Sequence, residues 1–285
     1  MTADHQPATP AFESVHVELA DGVATVLLDR PERDNAWTLQ MADETSRAMS
    51  WCDTTDEVRA VVVGARGRVF CVGADLSGGD IARPGAEAGD TVPDFGALTF
   101  PSAVRKPVIA ALHGHAVGVG MTYALHCDLR IVAEDAKMGM PFVRRGVVPE
   151  LNSSWLLPRI VGFATAMDLC LTGRLVLGPE AVALGLAHRT LPRDAVLPEA
   201  QRWAAQIAAQ GAPVALGATK RLLWDGLAAD GRDFAALERA IFRALAGGPD
   251  AAEGIASFLE KRAPRWSQRV TETWPAELDG TQGPS

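Results

Sequence analysis

The 285-residue chain carries 27 Lys+Arg against 35 Asp+Glu, a net charge of -8, and 48% of its residues are hydrophobic. A chain of this length buries about three quarters of the surface it would expose unfolded, which excludes a small module that depends on disulfides or metal. The acidic balance argues against a nucleic-acid partner, and no apolar run approaches the roughly 20 residues of a membrane helix. Cys52, Cys71, Cys127 and Cys170 are too widely spaced for a zinc site or a redox dithiol. Four scattered thiols, with no basic and apolar leader before the fold, predict a reducing compartment and a cytoplasmic protein.

In chain order, Val15, Val17 and Leu19 alternate with polar residues, Asp21-Gly22 marks a turn, and residues 23–28 return as an apolar strand. This is a hairpin signal. Thr38 can cap a helix running to about Cys52, and residues 58–63 read as a buried strand bounded by Gly64 and Gly67. Residues 77–96 are rich in Gly, Asp and Pro, which predicts a long surface loop able to act as a lid. A strand over 108–112, a glycine turn over 114–120, a helix to about Cys127 and a strand over 129–132 repeat the opening rhythm. Mixed elements at this spacing predict an α/β fold.

From about Pro198 the pattern is helical only. Phe234, Leu237, Ile241, Ala244 and Leu245 share one helix face, which Gly247-Gly248-Pro249 terminates. Asp250 and Glu253 resemble a capping box for a helix ending near Arg262. The expected organisation is a tail over 1–14, an α/β core over 15–205, a helical region over 206–263 and a poorly ordered tail over 264–285.

Two segments could carry chemistry. Val69 to Leu76 leaves a buried strand and bends at Gly73, so the following amide can point into a cavity, although a glycine after a strand is usually just a turn. In His113-Gly114-His115-Ala116-Val117-Gly118-Val119-Gly120 the Val119 N–H falls in the first turn of a helix, where amides lack internal acceptors and favour a negative oxygen. A dinucleotide loop fails there, because Tyr123 stands where the third glycine is needed. Neither a Walker motif nor a G-x-S-x-G elbow occurs. Two such amides facing one cleft would form an oxyanion hole for a thioester enolate.

Phe70-Cys71-Val72-Gly73-Ala74-Asp75-Leu76, the later glycine turn and Cys127-Asp128 resemble the crotonase, or enoyl-CoA hydratase/isomerase, superfamily. The likeness runs from about Val15 to Arg262 and includes Arg30-Pro31-Glu32-Arg33-Asp34-Asn35-Ala36, Leu171-Thr172-Gly173 and Phe258-Leu259-Glu260-Lys261-Arg262. It implies a crotonase-like spiral of ββα units, a C-terminal helical region that assembles trimers or hexamers, and an acyl-CoA substrate with no separate cofactor. The family's oxyanion amides fall on Ala74 and Val119, the second of which is glycine in many members. Arg33, Ala36, Ala74 and Leu76 fall on positions near the nucleotide of coenzyme A. Phe258 and Lys261 match a pair that reaches the CoA of a neighbouring subunit.

The two catalytic glutamates of family hydratases fall on Thr122 and Phe142, neither of which is a general base near neutral pH. Glu150, after Pro149, is another candidate. On local grounds it suits the first turn of a helix over 151–160. The Pro141-Phe142 pair, Pro149-Glu150 and Ser153-Ser154 instead look like the peroxisomal-type Δ3,Δ2-enoyl-CoA isomerase branch, whose glutamate shuttles one proton. The resemblance therefore predicts an isomerase with Glu150 as base, desolvated by neighbours such as Phe142 and Trp155. A hydratase using Glu150 on water, a thioesterase or decarboxylase on the same oxyanion hole, and a non-catalytic acyl-CoA-binding subunit remain open. His113 and His115 share a strand face, but no third ligand is set by spacing and no metal site is expected. Asp128 is read as an anchor for a strand end.

Overall fold

The computed structural model describes residues 7–77, 98–229 and 231–278. Of the loop expected over 77–96, only Ser77 falls within them, and the rest lies outside the described residues. β1 (Val15–Ala20) and β2 (Val23–Leu28) form the antiparallel hairpin. Thr38 caps α1 (Leu39–Thr54), its Oγ1 accepting the Met41 N–H at 3.1 Å. Val58 belongs to the turn before β3 (Ala60–Ala65), since its N–H bonds the Thr55 carbonyl, so the strand begins later than its apolar run. β4 (Val108–Leu112), β5 (Ala116–Val117), α2 (Val119–Leu125), β6 (Leu129–Ala133) and β7 (Met138–Gly139) follow. Beyond them come α3 (Ser153–Val161), α4 (Phe163–Thr172), α5 (Gly178–Ala183) and β8 (Arg189–Leu191).

The main sheet has the order β1-β2-β3-β4-β6-β8 and is parallel from β2 onward, with β5 and β7 pairing separately. Its central strands are buried along their whole length, as a parallel sheet covered on both faces requires. Alternate residues sort into two cores. Val26, Leu28, Val61, Val63, Ala110 and Leu112 face α1 and α2, while Ala60, Val62, Ile109, Ala111 and Ile131 face the other way.

The second face is closed by α6 (Arg193–Gln210), whose Val196, Ala200, Ala204 and Ala208 recur every fourth residue and are buried against the sheet. Small side chains at those positions let the helix lie close. The boundary expected near residue 205 therefore falls inside a helix of the core, and the α/β layer extends to Gln210. α7 (Pro213–Gly226), α8 (Gly231–Ala246) and α9 (Pro249–Glu260) complete the helical part.

Two further expectations change. Asp250 and Glu253 make no capping box: α9 has no side-chain cap, Asp250 accepts the Ser267 N–H at 2.7 Å, and Glu253 accepts the Arg265 N–H at 2.6 Å. Those bonds tie down the segment read as a loose tail. Val270 and Leu278 are buried, and Trp274 packs with Leu278 beside Ala218 and Ile241. At the other end Ser14 is buried, with its hydroxyl donating to Glu44 at 2.5 Å. Asp128 anchors the start of β4 by accepting the Val108 N–H at 2.7 Å.

Candidate active site

In a parallel sheet the connections leaving the carboxyl ends of neighbouring strands converge, and a ligand site forms there. Here the chain leaving β3 reaches Cys71, which bridges Ala116 beyond the end of β4. Trp37 bridges Ala74 on the opposite edge through two bonds, Trp37 N–H to Gly73 O and Asp75 N–H to Trp37 O, both 2.8 Å. That parallel pattern uses the amides flanking Ala74 and turns the Ala74 N–H away from Trp37. Among the described residues the Ala74 N–H has no acceptor.

Gly73 and Gly118 both hold positive φ, 113° and 58°, and a Cβ built on Gly118 would lie 3.6 Å from the Gly73 Cα. Ala74 and Val119 are each one residue past these touching positions. Val119 is the first residue of α2, so its N–H also lacks an acceptor. Its side chain is buried in the main core. Valine is accommodated at this first helical position with its N–H left available.

Glu150 faces the same turn of α2. Thr122 Oγ1 donates to Glu150 Oε1 at 2.5 Å and lies 3.2 Å from the Val119 carbonyl. One hydroxyl proton serves one acceptor at a time. With Glu150 ionised, Thr122 donates to the carboxylate; with Glu150 protonated, the carboxyl O–H can donate to Thr122 Oγ1 and the threonine proton turns to Val119 O. Burial raises the Glu150 pKa to about 7, against the lowering effect of the Thr122 hydrogen bond. Phe142 and Trp155 pack at the margin of the adjoining core.

Glu150 does not open a helix. Leu151 and Asn152 adopt left-handed backbone, φ 50° and 53°, and α3 begins only at Ser153. For non-glycine residues this conformation costs on the order of 1 kcal/mol each. The turn is held by Ser153 Oγ, which donates to the Glu150 carbonyl at 2.6 Å, and by buried His126, whose Nε2 donates to the Leu151 carbonyl at 2.9 Å. The Ser102 hydroxyl lies 3.0 Å from His126 Nδ1, which accepts it in the tautomer that the Leu151 bond selects. Burial pushes the His126 pKa down to about 4, so the ring is neutral. Thr122 on α2 and His126, the residue that closes that helix, are four apart in a largely apolar run. That spacing is a legible signal for a polar face, and the sequence reading passed over it.

The residues expected near coenzyme A divide into two groups. Arg33 Nη2 lies 3.5 Å from Asp75 Oδ1 and also donates to Ser77 Oγ. Asp75 is held at a pKa of about 2, first by Ser77 and further by Arg30 and Arg33. The Ala36 carbonyl accepts from Arg30 Nη1 at 2.6 Å, and Leu76 is 68% exposed. These four positions, Ala74 included, lie along one rim. Phe258 and Lys261 sit at the end of α9, 81% exposed and in left-handed backbone respectively, and no hydrogen bond or ion pair links them to that rim among the described residues.

His113 Nε2 meets the Gly67 carbonyl at 2.9 Å and His115 Nδ1 accepts the Lys137 N–H at 3.0 Å. Both serve the backbone. Among the described residues no group of three His, Cys, Asp or Glu could hold a metal ion, and no helix is long and apolar enough to cross a membrane.

The sequence model of the enoyl-CoA hydratase/isomerase family matches residues 18–269. The chain belongs to the enoyl-CoA hydratase/isomerase family. Similar members include the enoyl-CoA hydratase ACTT3 of Alternaria alternata, 38% identical over 89% of this chain and 86% of that protein. A structure from Mycobacterium abscessus, described as a probable enoyl-CoA hydratase/isomerase, is 39% identical, covers 89% of this chain and 98% of that one, and has a TM-score of 0.83. The enoyl-CoA hydratase of Mycobacterium tuberculosis H37Rv is 29% identical over 89% of this chain and 98% of its own, with a TM-score of 0.79. The chain therefore has the crotonase fold and is an acyl-CoA enzyme of this family.

Proposed function

We propose that the protein is an enoyl-CoA isomerase that moves a double bond from the Δ3 to the Δ2 position of an acyl-CoA. The observation that carries this reading is a single desolvated carboxylate, Glu150, hydrogen-bonded to the helix whose first amide is the second oxyanion donor. Ionised Glu150 takes the C2 proton, the electrons pass into a dienolate whose oxygen is held by the Ala74 and Val119 N–H groups, and the same carboxyl returns the proton to C4. One base suffices. Arg33, Ala36, Ala74 and Leu76 are assigned to the coenzyme A moiety, and the thioester is the substrate with no further cofactor. The exposed apolar residues Phe242, Ile255, Phe258 and Leu259 support a homotrimer or hexamer in which Phe258 and Lys261 reach a neighbour's coenzyme A.

The hydratase names of the relatives favour a second reading, in which Glu150 activates water for addition to a 2-enoyl-CoA. Incubation of 3-enoyl-CoA and 2-enoyl-CoA in deuterated buffer separates the two. Isomerase action converts the first substrate to the second with exchange at C2 or C4 and leaves the second unhydrated. Consumption of 2-enoyl-CoA to a 3-hydroxy product overturns the proposal, as does tight CoA-ester binding without any exchange.

Thr122 supplies a finer test. The base must be ionised to act, so kcat/KM for 3-enoyl-CoA is expected to rise with pH through about 7. Thr122→Val removes the hydrogen bond that favours the carboxylate, and the rising limb should move upward by about one pH unit. A profile that stays in place would detach Thr122 from the titration.

A further inference from the structure

Glu150 is held from α2 at two points. Thr122 reaches its carboxyl, and His126, one helical turn further on, reaches the backbone just beyond it. Leu151 lies between two peptide groups. The carbonyl of the first, Glu150 O, accepts the Ser153 N–H at 3.0 Å and the Ser153 hydroxyl at 2.6 Å. The carbonyl of the second, Leu151 O, accepts the His126 Nε2–H at 2.9 Å, and among the described residues no other donor reaches it. Fixing both peptide planes fixes φ and ψ of the residue between them, which keeps Leu151 at φ 50° against the steric cost of left-handed backbone. Without the second bond Leu151 can relax, and the peptide joining it to Glu150 turns with it.

His126 is itself set from another segment of the chain. Its ring stacks on Phe100, with centroids 4.6 Å apart and planes at 23°, and its Nδ1 lies 3.0 Å from the Ser102 hydroxyl. Ser102 and His126 are 2% and 1% exposed, so bulk water does not compete for either bond. The turn that carries Ser102 is closed by the Ala103 N–H on the Phe100 carbonyl at 2.9 Å and tied to α7 by Lys220 Nζ, which donates to the Pro101 carbonyl at 2.7 Å. A neutral imidazole offers one donor and one acceptor on a rigid ring. A carbonyl only accepts, so the proton sits on Nε2 and Nδ1 takes the Ser102 hydroxyl; the two bonds select the same tautomer.

We propose that His126 is a positioning residue for the proton transfer: held by Ser102, it pins the Leu151 turn and with it the direction of the Glu150 carboxyl. The inference rests on Glu150 being the base. Steady-state turnover of 3-enoyl-CoA and isothermal titration of a CoA ester test it. His126→Phe keeps a ring to stack on Phe100 but lacks the donor; kcat should fall by roughly 10- to 100-fold, the cost of a misplaced catalytic group, with KM and CoA-ester affinity near the parent's. His126→Gln restores an N–H and an acceptor and should recover most of that loss. In Glu150→Gln, where no base remains to be aimed, adding His126→Phe should cost no more than about twofold of the residual turnover. If His126→Phe does not fold, Ser102→Ala, which leaves His126 in place, decides: kcat should fall about fivefold, the worth of one hydrogen bond, at unchanged KM. Parent kcat in the deciding variant, a loss in KM alone, no recovery in His126→Gln, or a fully additive loss in the Glu150→Gln background overturns the positioning role and leaves Glu150 as the base. Parent turnover in Glu150→Gln itself removes both.

Discussion

Glu150→Gln is expected to lower turnover of a 3-enoyl-CoA by roughly 10²–10⁴-fold, the usual contribution of a general base, while leaving CoA-ester binding nearly intact. Glutamine keeps the size of the side chain, and its amide oxygen still accepts from Thr122, which in the parent lies 2.5 Å from Glu150 Oε1. What is lost is the group that takes and returns the proton in the proposed reaction. The same substitution should stabilise the fold, and the pH dependence of that gain is diagnostic. The folded carboxyl titrates at about 7 against 4.5 for an unburied one. Between those values the folded chain holds a proton that the unfolded chain has released, so parent stability falls as pH rises through this window and then levels off. Glu150→Gln lacks the titration. Its advantage should be absent below pH 4.5 and grow to at most about 3 kcal/mol above pH 7. Denaturant melts at pH 4.5 and pH 8 check this; equal differences at both would mean that Glu150 is not desolvated, and near-parent turnover would remove it from the reaction.

The elements best read from sequence are those whose signal is local. The hairpin at Asp21-Gly22, the Thr38 cap and the strand over 108–112 follow from turn chemistry, a side-chain acceptor and an apolar run. The two unbonded amides of Ala74 and Val119 were legible only as two separate glycine-marked turns. What joins them is the bridge from Cys71 to Ala116 and the contact of Gly73 with Gly118, and both depend on strand order, which no local pattern encodes. Glu150 shows the same limit from the other side. Proline followed by glutamate is a good helix start, yet Leu151 and Asn152 take left-handed backbone because His126 and Ser153 hold the turn from elsewhere in the chain. Asp250 and Glu253 match a capping box in spacing, but the amides of Ser267 and Arg265 take their carboxylates. The boundary near residue 205 failed because alanines at every fourth position carry little hydrophobic contrast, although they are what lets α6 lie flat on the sheet.

The second large effect concerns the main chain, which ordinary side-chain substitution does not touch. Val119→Pro removes one of the two N–H groups proposed to hold the enolate oxygen and should lower turnover by roughly 10²–10³-fold, the cost of deleting one such donor. Proline inside a helix is normally disruptive, but Val119 is the first residue of α2, whose N–H has no helical acceptor, and the first helical position is the one that proline's fixed φ suits. The residue before it is Gly118, with no Cβ for the proline ring to meet. The helix should therefore survive while the donor is lost, and a melting temperature close to the parent's would confirm that separation. Val119→Gly is the matching control: it keeps the N–H, deletes buried side-chain contacts, and should lose stability more than turnover. If Val119→Pro folds and turns over like the parent, the enolate oxygen is not held at α2, and the assignment of the paired Ala74 amide falls with it.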